Sequence, residues 1–311
     1  MPPEVLENAL LSSYTTFQLG GPCRGLICCG TPEECINAVE YLNNNNEKFI
    51  LIGGGSNLVV SDDGLDCYVI RYVSKTVHVD YDNNNVTVSG STSLDAFVTM
   101  MVNDGRAGVT FASGIPGTVG GAVVGNAGAF GQQVGDVIKS VTLLSLDGKS
   151  RKVTPDALGF SYRYSKLREM NDIVLDVTFT LTSGLKEDLL IKRNEILELR
   201  KEKHPDLKNE PCAGSFFRNV EPTSSAKRRQ AAGWFLDQVG GKALRSGGAY
   251  IFEKHANIIV KGSDCSAEDV YQLSTKMREL AKTNFDIDLI REVRFVGAFN
   301  HKPNNTTSIL W

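Results

Sequence analysis

The stretch Gly114 to Gly131, GIPGTVGGAVVGNAGAFG, holds seven glycines and three alanines in eighteen residues, so any chemistry it serves must come from the main chain. A second run, Gly53-Gly54-Gly55-Ser56-Asn57, follows the apolar segment Phe49–Ile52. Glycine permits positive φ and lets a ligand approach the backbone closely. Successive backbone N–H groups can then form a nest for an anion, typically a phosphate. Neither run is a dinucleotide fingerprint, because Leu58 stands where G-x-G-x-x-G requires its third glycine, and no Walker lysine follows either loop. Tight turns between packed strands are the competing reading. It weakens with each added loop, and Gly125-Asn126-Ala127-Gly128 adds a third. Ile115-Pro116 and Val123-Val124 supply an apolar wall. Bare backbone beside small aliphatic side chains suits a flat ring system joined to a pyrophosphate, which describes a flavin dinucleotide held outside a Rossmann fold.

The elements around these loops are legible from local signals. Thr31-Pro32-Glu33-Glu34 opens a helix with a capping box, Ile36, Val39 and Leu42 share a face, and the helix dies in Asn43 to Asn46. With the strand Phe49–Ile52 this makes a βαβ-like opening. Val77 to Ser89 reads as a hairpin turned at 82–85, and Val141 to Val153 as another turned by Asp147-Gly148. Leu94, Phe97, Val98 and Met101 have helical spacing, and Ile173 to Leu181 alternate as a half-buried strand. Leu185 to Lys203 reads as a charged connector helix. Ser266 to Asp269 caps a helix whose Val270, Leu273, Met277 and Leu280 face a core. Leu289 to Val296 reads as a strand, and Asn300 to Trp311 as a polar, frayed tail.

Composition limits the function classes. A chain of 311 residues is long enough for two or three domains. A net charge of −3 gives no strong field to recruit nucleic acid or an anionic membrane. No N-terminal signal region and no apolar run of 18 residues is present, so a cytosolic protein with no membrane partner is expected. The seven cysteines form no C-x-x-C pair and the four histidines no ligand cluster, so reduced structural cysteines and no metal are expected.

Seven motifs occur in order: YTTFQLGG, LIGGGSNLVVSDDG, GIPGTVGGAVVGNAGAFG, FSYRYS, CAGSFFRN, AGWFLDQVGGKALRSGGAYIFEKHAN and REVRFVGAF. Together they span about Ser13 to Phe299, and the series resembles the UDP-N-acetylenolpyruvoylglucosamine reductase (MurB) family. The resemblance implies an α+β chain with an FAD-binding fold of the vanillyl-alcohol-oxidase (PCMH) type. Its two lobes would be 1–72 and 73–200, followed by a C-terminal α+β substrate-binding domain at 201–299 and a flexible tail at 300–311. It implies non-covalent FAD, NADPH as reductant, and UDP-N-acetylglucosamine enolpyruvate as substrate, in a cytosolic step of bacterial peptidoglycan precursor synthesis. A monomer is expected.

The same resemblance assigns residues. Cofactor contacts would come from Gly53, Gly54, Gly55, Ser56, Asn57 and Leu58, from Gly114, Ile115, Pro116, Gly117, Thr118, Gly120 and Gly121, and from Asn126, Ala127 and Gly128. The implied reaction reduces the enolpyruvyl C=C to a lactyl ether, with negative charge developing as an enolate. Such charge needs electrostatic stabilisation and a nearby acid. Ser215 matches the family's proton donor, Arg163 the arginine that neutralises the enolate, and Glu292 the third catalytic residue, whose carboxylic group can share a hydrogen bond with the developing enol. Tyr162, Lys203, Asn219, Lys242, His255 and Asn257 would contact the substrate.

Four departures stand out. About 52 positions separate Arg163 from Ser215, too few for the inserted tyrosine loop of the longer subtype, so the chain resembles the shorter one. Val220 follows Asn219 where proline is common, and Gly125 precedes Asn126 where methionine is usual. Ile290-Arg291 precede Glu292, and Arg291 is positioned to alter its electrostatics. The same flavin fold also hosts sugar and alcohol oxidases, many with a histidine near the flavin loops for covalent attachment. None occurs between His78 and His204, which weakens that reading. The intact Arg163, Ser215 and Glu292 weaken a third reading, a flavin binder without chemistry.

Overall fold

The computed structural model describes residues 2–222, 228–300 and 309–310. The first sheet runs in the order Leu6–Glu7, Cys23–Cys29, Leu65–Tyr72, Phe49–Ile52, Ile309–Leu310. Its pairings are parallel except at the Leu6–Glu7 edge. The βαβ opening forms through helix Pro32–Asn44, with Leu65–Tyr72 inserted between its two strands. Thr31 and Glu34 close the capping box. The buried face is Cys35, Ala38, Val39 and Leu42, while the expected Ile36 is only partly buried.

The second sheet is antiparallel, in the order Ser150–Val153, Ile138–Ser145, Asp172–Thr180, Asn85–Ser89, Val79–Asp82. Both expected hairpins are present. The strand Asp172–Thr180 corrects an expectation: it is buried on both faces, with Val174 at 0 % exposure like Ile173 and Val177. Alternation in its sequence therefore reports side-chain chemistry, whereas burial follows from its central place in the sheet and from helix Val119–Gly125 lying across it. Side chains of both sheets meet in one core, where Ile27, Leu51 and Tyr72 join Phe97, Leu143 and Phe179.

A third antiparallel sheet, Cys212–Ser215, Ile258–Lys261, Ala249–Ile251, Arg245–Ser246, packs with helix Ala267–Phe285 around a second core. Ser266 and Asp269 form the predicted capping box of that helix. The expected strand Leu289–Val296 shrinks to Arg294–Val296, which pairs in parallel with Leu58–Val60 and ties the C-terminal region to the first glycine loop. Upstream, Arg291 makes only an isolated bridge with Phe217. The tail also needs correction. Positions 301–308 and 311 lie outside the described residues, but Ile309–Leu310 form a strand beside Leu51 and Ile52, and Ile309 is fully buried.

Candidate active site

A cleft of about 560 Å³ lies between the glycine loops and the third sheet. One wall is backbone. A Cβ at Gly54 would sit 2.9 Å from the Gly117 Cα, so the two glycine loops touch and only glycine fits between them. Gly117 itself has φ +114, and a Cβ there would reach 2.7 Å from Ser56 Oγ, which donates to the Pro116 carbonyl at 3.1 Å. Gly54, Ser56, Asn57, Ile115, Pro116, Gly117, Thr118, Gly121, Ala127 and Gly128 face the cleft. Gly53, Gly55, Leu58, Gly114, Gly120 and Asn126 do not: Leu58 is fully buried in the core, and the Gly120 N–H donates to the Gly90 carbonyl at 2.9 Å.

Asn126 is the informative exception among the expected cofactor contacts. It ends helix Val119–Gly125 in a left-handed conformation and is 1 % exposed. Its amide donates to Ser161 O at 2.7 Å and to Gln133 Oε1 at 2.9 Å, and its oxygen accepts from the Gly135 N–H at 3.0 Å. The side chain thus splices the glycine stretch to the turn that carries Tyr162 and Arg163. The helix Lys186–Lys203 braces the same stretch from outside. Arg193 grips Asp95 through two hydrogen bonds of 2.7 and 3.0 Å, Asp95 accepts the Gly114 N–H at 2.6 Å, and Arg200 Nε donates to Ser113 O at 2.7 Å. Burial alone would raise the Asp95 carboxyl, but the Arg193 and Gly114 donors hold it below the usual carboxylate range.

The opposite wall is built of side chains. Arg163 sits in a tight turn with φ +55, closed by mutual Ser161–Tyr164 backbone hydrogen bonds of 3.1 Å. Such a conformation costs a non-glycine residue on the order of 1 kcal/mol, and here it turns the guanidinium into the cleft. Arg163 Nη1 donates to Gly128 O at 2.8 Å, and its Nε lies 3.3 Å from Glu292 Oε1 without hydrogen-bond alignment. Glu292 is fixed at its backbone, donating to Phe216 O at 2.9 Å and accepting from Asn57 Nδ2 at 3.1 Å. Arg291 turns to Ser274 and Thr275 instead of toward Glu292.

Ser215 ends the strand Cys212–Ser215 and opens onto the cleft. Asn257, 2 % exposed, clamps the chain just beyond it: Oδ1 accepts the Phe217 N–H at 2.9 Å and Nδ2 donates to Phe217 O at 2.8 Å. Asn257 itself lines the cleft, so the same side chain braces the backbone and borders the site. Tyr162, Lys203, Asn219 and His255 line the cleft, and the Tyr162 hydroxyl accepts the Asn219 N–H at 3.3 Å. Lys242 does not line it; it pairs with Asp237 at 2.9 Å.

Arg168, Arg200, His204 and Arg294 also line the cleft and were not singled out from sequence. Arg168 and His204 each adjoin a motif, at FSYRYS and at Lys203, but no local spacing marks them. Burial, with Arg200 nearby, pulls the His204 imidazole down to about 4, and burial lowers His255 as well. The rings stand 6.0 Å apart, and His255 Nδ1 accepts the Asn257 N–H at 3.2 Å, which leaves the ring proton on Nε2. Burial and the neighbouring Arg218 lower the Arg168 guanidinium to about 10.

These features fit a flavin dinucleotide. The touching Gly54 and Gly117 bring bare backbone to the cleft, a Cβ at Gly125 would meet open space, and Ile115, Pro116 and Val124 give an apolar face. Arg163, Arg200 and Lys203 supply charge for phosphates and carboxylates along the same cleft. Among the described residues, no group of three or more His, Cys, Asp or Glu could hold a metal ion, and no helix is long and apolar enough to cross a membrane.

Comparison with known proteins agrees with this geometry. Residues 23–154 match the FAD binding domain family, and residues 205–296 match the UDP-N-acetylenolpyruvoylglucosamine reductase C-terminal domain. The UDP-N-acetylenolpyruvoylglucosamine reductase of Lachnoclostridium phytofermentans is 35% identical over 294 residues, covering 93% of this chain and 92% of that protein. The Bacillus subtilis reductase is 32% identical over 295 residues, covering 94% of each. The crystal structure of the Thermus caldophilus reductase (MurB) superposes with a TM-score of 0.77 at 32% identity, covering 94% of this chain and 99% of that one. Full-length similarity at this level, over a glycine-walled flavin cleft in the expected α+β fold, places the chain in the UDP-N-acetylenolpyruvoylglucosamine reductase (MurB) family.

Proposed function

We propose that the protein is a flavin-dependent reductase that uses NADPH and FAD to reduce the enolpyruvyl C=C of UDP-N-acetylglucosamine enolpyruvate to UDP-N-acetylmuramate. The observation that carries the reading is the convergence of Arg163, Glu292 and Ser215 on one cleft walled by the touching glycine loops. Lobes 1–72 and 73–200 hold FAD, with Gly54, Ser56, Gly117 and Gly121 as backbone-side contacts, and 201–299 holds the sugar nucleotide. Bound FAD, reduced by NADPH, supplies the hydride.

The protein's own part is charge and proton management. Arg163 neutralises the carboxylate as the enolate develops. Glu292, held at 3.3 Å from Arg163, presents a carboxyl to the same point and shares a hydrogen bond with the developing enol. Ser215 donates the proton to the adjacent carbon. A serine is a weak acid, so it acts only beside a strongly basic carbon, and the Asn257 clamp keeps it there. Tyr162, Lys203, Asn219 and His255 hold the nucleotide-sugar. The protein acts as a cytoplasmic monomer in peptidoglycan precursor synthesis, and through it in cell-wall biogenesis, cell shape and division.

The test is spectroscopic. Purified protein is mixed anaerobically with NADPH and then with the enolpyruvyl UDP-sugar. Bleaching of the yellow colour followed by recovery on sugar addition is expected. Recovery only on admission of air would replace the reading with an oxidase, and a colourless protein that cannot be reconstituted with FAD would remove it.

A further inference from the structure

Arginines cluster at the reaction end of the cleft. Arg163, Arg218, Arg294 and the Glu292 carboxylate all lie within electrostatic reach of Arg168. Arg163 is already committed on two sides, with Nη1 on Gly128 O and Nε facing Glu292. Arg168 is different. It lines the cleft, and its buried Nε has no hydrogen-bond partner among the described residues. Its position is nevertheless firmly set. Leu167 beside it is fully buried, and Ser165, three residues before it, donates to Val124 O at 2.8 Å and accepts the Arg168 N–H at 3.1 Å. Arg218 does not line the cleft, but its charge acts on Arg168.

A buried guanidinium without a partner is costly, and an anion that supplies acceptors to it is bound correspondingly well. Carboxylates fit the guanidinium fork edge-on through two parallel N–H donors. Arg163 has Nη1 on Gly128 and Nε facing Glu292, whereas the Nη1/Nη2 edge of Arg168, which lines the cleft, has no partner among the described residues. We infer that Arg168 is a specificity-determining residue that binds the carboxylate of the enolpyruvyl substrate, beside Arg163. The inference rests on the proposed reaction and deepens it. Arg168 recognises the acid group of the substrate, and Arg163 answers the charge that develops on it.

The experiment compares wild-type holoenzyme with Arg168→Gln and Arg168→Lys. Binding of the enolpyruvyl UDP-sugar to the oxidised enzyme is followed by perturbation of the visible spectrum, with UDP-N-acetylglucosamine, which lacks the carboxylate, as control ligand. The expected result is a ten- to hundred-fold weaker Kd for the enolpyruvyl sugar in Arg168→Gln and a smaller loss in Arg168→Lys. The Kd for UDP-N-acetylglucosamine and the rate of bleaching by NADPH should stay within about twofold of wild type. Equal weakening of both ligands would assign Arg168 to the nucleotide-sugar or to the scaffold and overturn the inference. A changed flavin potential with unchanged Kd would assign it to the cofactor, with the same consequence, and so would unchanged values throughout. Failure of the wild type to recover colour with the enolpyruvyl sugar would instead overturn the proposed reaction itself.

Discussion

The two walls of the cleft solve different problems with different material. The Gly54–Gly117 wall is main chain pressed against main chain at a separation that excludes any side chain. The Arg163–Glu292–Ser215 wall is side chains aimed by a strained turn, a short strand and a buried asparagine. The first wall can bind a flat cofactor closely but cannot move a proton. The second can manage charge, and it tolerates shape changes better than chemical ones. A buried asparagine joins each wall to its support. Asn126 links the glycine stretch to the Arg163 turn, and Asn257 fixes the chain beside Ser215.

The contrast predicts separable failures. Ser215→Ala should lower turnover roughly a hundred- to ten-thousand-fold while leaving flavin bound and reducible by NADPH. Stopped-flow bleaching and recovery, read separately, check this; loss of the NADPH step as well would mean that the walls are not independent. Gly54→Ala should do the reverse, because its Cβ meets the Gly117 Cα at 2.9 Å. Relieving that overlap costs about 1–3 kcal/mol, so FAD affinity should fall about ten- to a hundred-fold with the turnover of the saturated enzyme nearly kept. Flavin fluorescence on release measures it.

Asn257→Ala probes the joint between site and scaffold. It leaves the buried Phe217 N–H and carbonyl without partners and should cost about 2 kcal/mol of stability together with part of the turnover. Thermal melts paired with kcat would show the two effects moving together; a stability loss with full turnover would detach Asn257 from Ser215.

The smallest effect lies outside the cleft lining. Burial, with Glu33 and Asp80 nearby, raises the Asp176 carboxyl from 3.8 to about 6. Its contribution is therefore favourable below the unfolded value and lost as pH climbs through about 6, which makes the ionised group a liability at neutral pH. Asp176→Asn should stabilise the protein by about 1–2 kcal/mol at pH 7 and confer no gain below about pH 4. Melting curves across that range test the sign.

Local chemistry made much of the molecule legible. The capping boxes at Thr31–Glu34 and Ser266–Asp269 and the turns at 82–85 and Asp147-Gly148 depend on neighbours within four residues, so a linear reading finds them. The glycine content of the two loops announces a backbone-built site for the same reason. The linear reading failed where long-range packing decides. Leu58 belongs to a loop motif but is buried because Arg294–Val296 returns to pair with its strand. Asn126 looks like a ligand contact, yet a backbone carbonyl 35 residues away uses its amide, and Asn257 lines the cleft while also holding Phe217, 40 residues away. Arg291 adjoins Glu292 in sequence and leaves it for the helix Ala267–Phe285. By itself, then, the sequence determined the capped helices, the hairpins and the presence of two bare loops, because those rest on short-range hydrogen bonds and backbone freedom. Only the tertiary structure decided which guanidinium is engaged and which, at Arg168, still faces an open cleft, because that depends on groups brought together from distant parts of the chain and on the water their packing excludes.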